Sequence, residues 1–185
     1  NLYTAPDFAD FLRHTDITDQ KKGKDVTLYL IKSEKTAIID EKAQSHYINK
    51  DLPTFAFEID FIFQGIIKQG WLFDNNKETT DYMLIWLKAK KDRDIIKEDI
   101  TEADCLMISR EKIKELLKRY NIDEKKAKQI AEYMRKGALD KEHHIDGTRD
   151  IYFKLTEHLA ESPVNIVIRK ELLIRYAQDR FKISR

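Results

Sequence analysis

Residues Thr36-Ala37-Ile38-Ile39-Asp40-Glu41-Lys42-Ala43-Gln44 open as an apolar run and close in charge. Side chains alternate across a strand, so Ile38, Asp40, Lys42 and Gln44 fall on one face and Ile39, Glu41 and Ala43 on the other. Asp40 and Lys42 are then neighbours in space. Apolar residues on both faces up to Ile39 mark an interior strand whose polar end emerges at an edge or cleft. A further acid, Asp25, opens the preceding β-rich run at residues 26–32, and Ser33-Glu34-Lys35 between the two runs suits a hairpin turn. Paired in this way, Asp25 lies beside Asp40.

Outward from this hairpin the chain alternates between strand and helix signals. Phe8, Phe11 and Leu12 stand at helical spacing behind Pro6 and predict an opening helix over residues 7–14, followed by a polar loop to residue 24. Residues 54–62, 71–73 and 82–88 are rich in aromatic and β-branched residues and predict strands, with turns at Gly65, Gly70 and Asp74-Asn75-Asn76. Residues 106–108 suit a short strand. Ser109 then suits an N-cap before Ile113, Leu116, Leu117 and Tyr120 at helical period. Asp123 caps a second helix that carries Ala127, Ile130, Ala131 and Met134 and stops at Gly137. Residues 140–146, with the adjacent His143 and His144, suit a polar loop; residues 151–155 and 164–168 suit strands and 170–181 a closing helix. This order predicts an α/β domain of mixed α+β type, a central mixed sheet flanked by helices.

At 185 residues the chain suits one domain spanning 1–185. Its 34 Lys plus Arg against 33 Asp plus Glu leave a formal charge of +1, which excludes a globally basic nucleic-acid coat and leaves any polyanion site to local clustering. Candidate clusters are Lys112, Lys118, Arg119, Lys125 and Lys128 on the middle helices, and Lys170, Arg175 and Arg180 on the closing one. Interleaved glutamates make solvated faces with i,i+4 pairs the default reading of the first cluster. The single cysteine, Cys105, sits in an apolar stretch and reads as an inert thiol in a reducing, cytoplasmic compartment. No run approaches the roughly 20 apolar residues of a membrane helix, so no membrane partner is expected.

Two carboxylates converging near an ammonium suit metal-assisted hydrolysis of a phosphodiester. Hard carboxylate oxygens hold Mg²⁺, which stabilises charge on phosphoryl oxygens and acidifies a bound water that the lysine positions or helps to deprotonate. A lysine at an exposed strand end contributes little to packing, so stability is expected to survive its removal. The order Asp25, then Asp40-Glu41-Lys42 at the end of an apolar strand, resembles the signature of the PD-(D/E)XK nuclease superfamily, whose fold is restriction-endonuclease-like. The resemblance implies a mixed sheet flanked by helices, dependence on Mg²⁺ or Mn²⁺, and nucleic acid as substrate, DNA in preference to RNA. It makes Asp25 and Asp40 the metal-binding acids and Lys42 the lysine, with Gln44 like the glutamine found at that spacing in some members. Lys24 stands where the name-giving proline would stand.

Glu58 lies within the apolar run Phe55-Ala56-Phe57-Glu58-Ile59. Beside the Asp40 strand it is a third acid for the metal; otherwise it is a solvent-facing residue on a strand rim. His46 and Tyr47 follow the motif and suit a loop. No separate specificity domain is visible, so selective cutting needs loops or a homodimer. The alternative from another class is a non-catalytic nucleic-acid-binding or regulatory protein that keeps the same fold.

Overall fold

The computed structural model describes residues 8–30 and 35–184. In chain order the elements are β1 (Phe8–Arg13), α1 (Ile17–Lys21), β2 (Val26–Leu30), β3 (Lys35–Ala43), β4 (Thr54–Phe63), β5 (Ile66–Gln69), β6 (Asp81–Ala89), β7 (Ile100–Ser109), α2 (Arg110–Arg119), α3 (Glu124–Arg135), β8 (Glu142–His144), β9 (Ile151–Leu155), β10 (Val164–Arg169), α4 (Lys170–Tyr176) and β11 (Asp179–Ser184). The mixed α+β class expected from the sequence is the class observed, with two sheets. Where composition suggests one core, the chain gathers into two compact units: Asn1–Leu52 with Asn76–Glu111 and Ala177–Arg185, and Pro53–Asn75 with Lys112–Tyr176. Each is described by itself.

The first unit is a six-stranded mixed sheet in the order β1-β2-β3-β6-β7-β11. β2 and β3 pair antiparallel with Val26 opposite Ile39 and Leu30 opposite Lys35, so Asp25 stands beside Asp40 as expected of the hairpin while Lys35, expected in its turn, opens β3. Ser33 and Glu34 of the expected turn lie outside the described residues. β3 pairs with β6 in parallel, Asp40 opposite Tyr82, and every other pairing in the sheet is antiparallel. Partners in a ladder share a face, so the register sorts the side chains. One face carries Val26, Leu28, Ala37, Ile39, Met83, Ile85, Ala103, Cys105 and Met107, all buried, with Phe11 of β1 and Phe181 of β11 packed against them. The other face carries Thr27, Ile38, Asp40, Lys42, Tyr82 and Leu84. Tyr82 and Leu84 are fully buried, whereas Thr27, Ile38 and Lys42 retain exposure.

The second unit is a five-stranded antiparallel sheet in the order β5-β4-β10-β9-β8. Its β4–β5 hairpin turns on Gln64 and Gly65, both left-handed at φ 52 and 75 degrees, a pairing that matches the twist of the flanking strands. α3 packs on β4 and β9 and buries Ala127, Ile130, Ala131 and Met134, the positions its helical period requires. Its N-cap is Asp123, whose carboxylate accepts from the Lys126 amide at 2.7 Å.

Several elements depart from the sequence reading. Residues 8–13 form a strand rather than a helix: Phe11 faces the core while Leu12, next to it, is 63% exposed, the alternation of a strand. The stretch read as a loop after it holds α1, capped by Asp16. The expected strand at residues 71–73 is a turn, and β5 precedes it. β7 spans ten residues instead of three. The polar stretch at His143 and His144 is an edge strand, and the closing helix stops at Tyr176, after which β11 returns to pair with β7. Arg180 therefore sits on β11, bonded to Asp104 at 2.8 and 3.1 Å, and not on α4, the helix that carries Lys170 and Arg175.

Candidate active site on the six-stranded sheet

β2 and β3 bring Asp25 and Asp40 together. The Asp25 amide donates to the Ile39 carbonyl at 2.9 Å, which carries the ladder one step past Val26 and sets Asp25 beside Asp40. Asp25 Oδ2 accepts from the Glu41 amide at 2.8 Å, so its carboxylate leans onto β3. Lys42, two residues on, places its ammonium 2.7 Å from Asp40 Oδ1. The triplet is divided by the pleat. Glu41 leaves for the opposite face, where Arg13 holds it through two bonds of 2.7 and 3.0 Å. The structure thus gathers Asp25, Asp40 and Lys42.

Asp40 is 3% exposed, and its Oδ2 has no hydrogen-bond partner. Burial pushes its carboxyl above the ordinary aspartate range, the Asp25 carboxylate adds to the rise, and the Lys42 ammonium opposes it. The wall over Oδ2 comes from two loops. Gly23, at φ +72 degrees, lies so close that a Cβ there would stand 2.1 Å from Thr79 Oγ1 and 3.2 Å from Asp40 Oδ2. Thr79 Oγ1 donates to the Gly23 carbonyl at 2.9 Å, the Glu78 amide to the Lys22 carbonyl at 2.8 Å and Lys77 Nζ to the Lys21 carbonyl at 2.6 Å. Lys24, in the place of the motif's proline, bridges Asp19 and Glu78 at 3.3 Å each, and these two acids raise its pKa.

Gln44 follows the last residue of β3 and leads into a 3-10 turn; its amide donates to the Ile85 carbonyl at 3.0 Å. His46 and Tyr47 follow in a short 3-10 turn and are exposed. Glu58 is not on a neighbouring strand. It lies on β4, between β5 and β10, whereas β3 has β2 and β6 as neighbours, so the condition that would make it a third acid of this site is not met. Cys105 is buried and its thiol is pushed up to about 12 by burial, with Asp104 and Glu41 adding to the rise, which leaves it inert.

Sequence reasoning missed the residues that β1 and α1 contribute. The His14 amide donates to the Asp25 carbonyl at 2.8 Å, so His14, Asp25 and Asp40 stand in one row across three strands. The ring of His14 lies with Nδ1 3.1 Å from Asp19 Oδ2 and Nε2 2.8 Å from Thr27 Oγ1. The alternation Asp10, Leu12, His14 was the available signal, and the helical spacing of Phe8, Phe11 and Leu12 masked it.

Among the described residues no group of three or more His, Cys, Asp or Glu side chains is arranged to hold a metal. Two carboxylates are present, one with a buried oxygen that lacks a partner. That donor set fits Mg²⁺, which binds through one or two carboxylates and keeps several waters. It is hard, oxygen-only and does not suit zinc. No helix among the described residues is long and apolar enough to cross a membrane. Comparison with protein-family models, with curated proteins and with solved structures finds no match to this chain.

Proposed function

We propose that this chain hydrolyses phosphodiester bonds in nucleic acid, DNA in preference to RNA, with a divalent cation held by Asp25 and Asp40. The observation that carries the reading is the meeting of two carboxylates and the Lys42 ammonium on one sheet face, at the point where that face passes from fully buried at Tyr82 and Leu84 to accessible at Thr27 and Ile38. The order of these residues, which resembles the PD-(D/E)XK signature, supports it. When bound, Mg²⁺ or Mn²⁺ supplies positive charge at the phosphoryl oxygens and acidifies a water.

The chain's own residues do the rest. Asp25 is aimed by the Glu41 amide and Asp40 by Lys42, so both acids are oriented before any ligand arrives. Lys42 faces the same side and orients the attacking water. Gln44 lies further along the same edge as a helper to that water. The uncovered part of the face, where Leu12 is 63% and Tyr29 42% exposed, leaves room for the substrate strand.

The test is cleavage of duplex, single-stranded and branched DNA in Mg²⁺ and in Mn²⁺, with a chelator as control. Metal-dependent strand breaks support the reading. Binding without cleavage on every substrate would favour a non-catalytic nucleic-acid-binding protein.

A further inference from the structure

We propose that α3 enters the major groove of duplex DNA as the second helix of a helix-turn-helix, an inference about the second unit that stands apart from the hydrolytic reading of the first. α2 and α3 are joined by four residues, Tyr120-Asn121-Ile122-Asp123. The turn is fixed along its length: Asn121 is left-handed at φ 58 degrees, the Ile122 amide donates back to the Leu117 carbonyl at 3.0 Å, the Ile122 side chain is buried, and Asp123 caps α3. A helix stopped by a left-handed residue and followed at once by a capped helix leaves the connection one geometry. A helix-turn-helix lays its first helix across the phosphate backbone and sets the N-terminal residues of its second against base edges.

The face that α3 presents has the charge for this. Ala127, Ile130, Ala131 and Met134 are buried, and at about 100 degrees per residue Lys125, Gln129, Glu132 and Lys136 fall on the opposite side, all four exposed. Pairing along the helices accounts for some of the cations: Lys112 bonds Glu115 at 3.2 Å, Lys128 bonds Glu124 at 2.7 Å and Lys136 bonds Glu132. Arg119 is turned onto Tyr176, donating to its hydroxyl at 3.0 Å. Lys118, Lys125 and Lys126 are different: they are exposed and make no ion pair or side-chain hydrogen bond among the described residues. They end one helix and open the next, on either side of the turn. Residues 118–129 hold five Lys and Arg against two Asp and Glu, a local charge of +3 in a chain whose total is +1. Such a cluster suits a polyanion.

Duplex DNA is the polyanion that fits. The major groove of B-form DNA, about 12 Å wide, admits an α-helix, whereas that of A-form RNA is too narrow for side chains to read. Phosphates meet Lys118, Lys125 and Lys126 without breaking an ion pair. Gln129, in the middle of the outward stripe and bonded to the Tyr133 hydroxyl at 3.1 Å, carries an amide that matches N6 and N7 of adenine. Read as a single domain, the sequence offers no specificity element; the second unit supplies one.

Fluorescence anisotropy on labelled duplexes, titrated with salt in a chelator so that no strand is cut, tests the assignment. The unaltered chain is compared with the triple variant Lys118→Ala, Lys125→Ala, Lys126→Ala and with Gln129→Ala, whose exposed positions leave Tm unchanged. The unaltered chain binds duplex DNA more tightly than duplex RNA of the same sequence. The triple variant weakens binding to every duplex sequence alike and flattens the log-log salt dependence by about 0.9 for each lysine removed. In selection from randomised duplexes, Gln129→Ala keeps affinity for arbitrary sequence and loses a preference of roughly 10-fold for an A·T pair. No duplex binding at low salt, a parental salt slope in the triple variant, equal binding of duplex RNA, or an unchanged sequence preference in Gln129→Ala would overturn the assignment. The expected pattern in a chain that cuts no DNA would overturn the hydrolytic reading alone, and cleavage beside a parental slope in the triple variant would overturn this inference alone.

Discussion

The Lys42 ammonium lies 2.7 Å from Oδ1 of Asp40, two residues back along the same face of β3. Removing the lysine therefore does two things. If the chain hydrolyses phosphodiesters as proposed, Lys42→Ala takes away the group that orients the attacking water, and cleavage should fall by about 10²- to 10⁴-fold. It also strips a buried carboxylate of its counter-charge. A lysine read from sequence as an exposed strand end is expected to leave stability untouched, yet its side chain is only 27% exposed and paired. The variant loses about 1–3 kcal/mol at neutral pH. Urea denaturation measures the loss, and Asp40→Asn in the same chain recovers most of it, giving a coupling energy above about 0.5 kcal/mol in the double-mutant cycle.

Asp40 itself makes stability depend on pH. Its carboxyl is raised by burial, and a folded-state pKa above the unfolded one means that the folded chain holds the proton more tightly. The contribution is fully present below the unfolded value, near 3.8, and is lost as pH rises through the raised folded value. Ionised Asp40 thus burdens the metal-free protein at neutral pH. Thermal melts in a chelator should show a higher Tm for Asp40→Asn than for the parent at neutral pH, and a difference that fades as pH falls towards 3.8. Mg²⁺ at about 100 times its Kd should stabilise the parent by about 2.7 kcal/mol and the variant much less. A chelated Asp40→Asn no more stable than the parent would contradict the burden assigned to Asp40.

What the sequence disclosed and what it hid follow from the range of the interactions. The β2–β3 hairpin was legible because both strands announce themselves locally and a short connection forces them to pair antiparallel. Asp25, Asp40 and Lys42 inherit their placement from that register. β1 and β11 were not legible, since each is an edge strand defined by a distant partner: Phe181 of β11 pairs with Cys105 of β7. Phe11 and Leu12 fit a helical period as well as an alternating one, and only burial of the first and exposure of the second decides between them. With β1 misread, His14 had no place beside Asp25. The partition into two units is not legible in composition either: the chain passes between them four times, and one of these crossings, from Glu111 to Lys112, falls inside α2.

Gly23 cannot be exchanged. Its φ of +72 degrees disfavours any side chain, and a Cβ would stand 2.1 Å from Thr79 Oγ1. Gly23→Ala should cost about 1–3 kcal/mol and push the Lys22–Lys24 loop off Asp40. Gly23→Ala with Thr79→Ala relieves the clash and not the backbone strain, so denaturation midpoints should return only part of the way. A Gly23→Ala chain as stable as the parent would show that this loop does not sit as described.

In the second unit Arg135 of α3 bonds the nearly buried Asp60 of β4 through Nε at 3.1 Å and also through Nη2, which donates in addition to the Ser162 carbonyl at 2.9 Å. Breaking such a pair leaves a carboxylate without its partner and should cost about 3–5 kcal/mol in Arg135→Ala. Replacing both residues, as Asp60→Leu with Arg135→Met, should recover much of that loss. Equal destabilisation by the single and double variants would mean that packing of the arginine stem, rather than its charge, holds α3 to the sheet.

The central claim is that Asp25 and Asp40 make this face a metal-dependent phosphodiesterase, and single-turnover cleavage of DNA by the parent, Asp25→Asn and Asp40→Asn tests it most directly. The account predicts strand breaks by the parent in Mg²⁺ or Mn²⁺, loss of cleavage in both variants, and retained DNA binding by both in Ca²⁺. No cleavage by the parent on any DNA with either metal, or cleavage by Asp40→Asn at the parental rate, would contradict it.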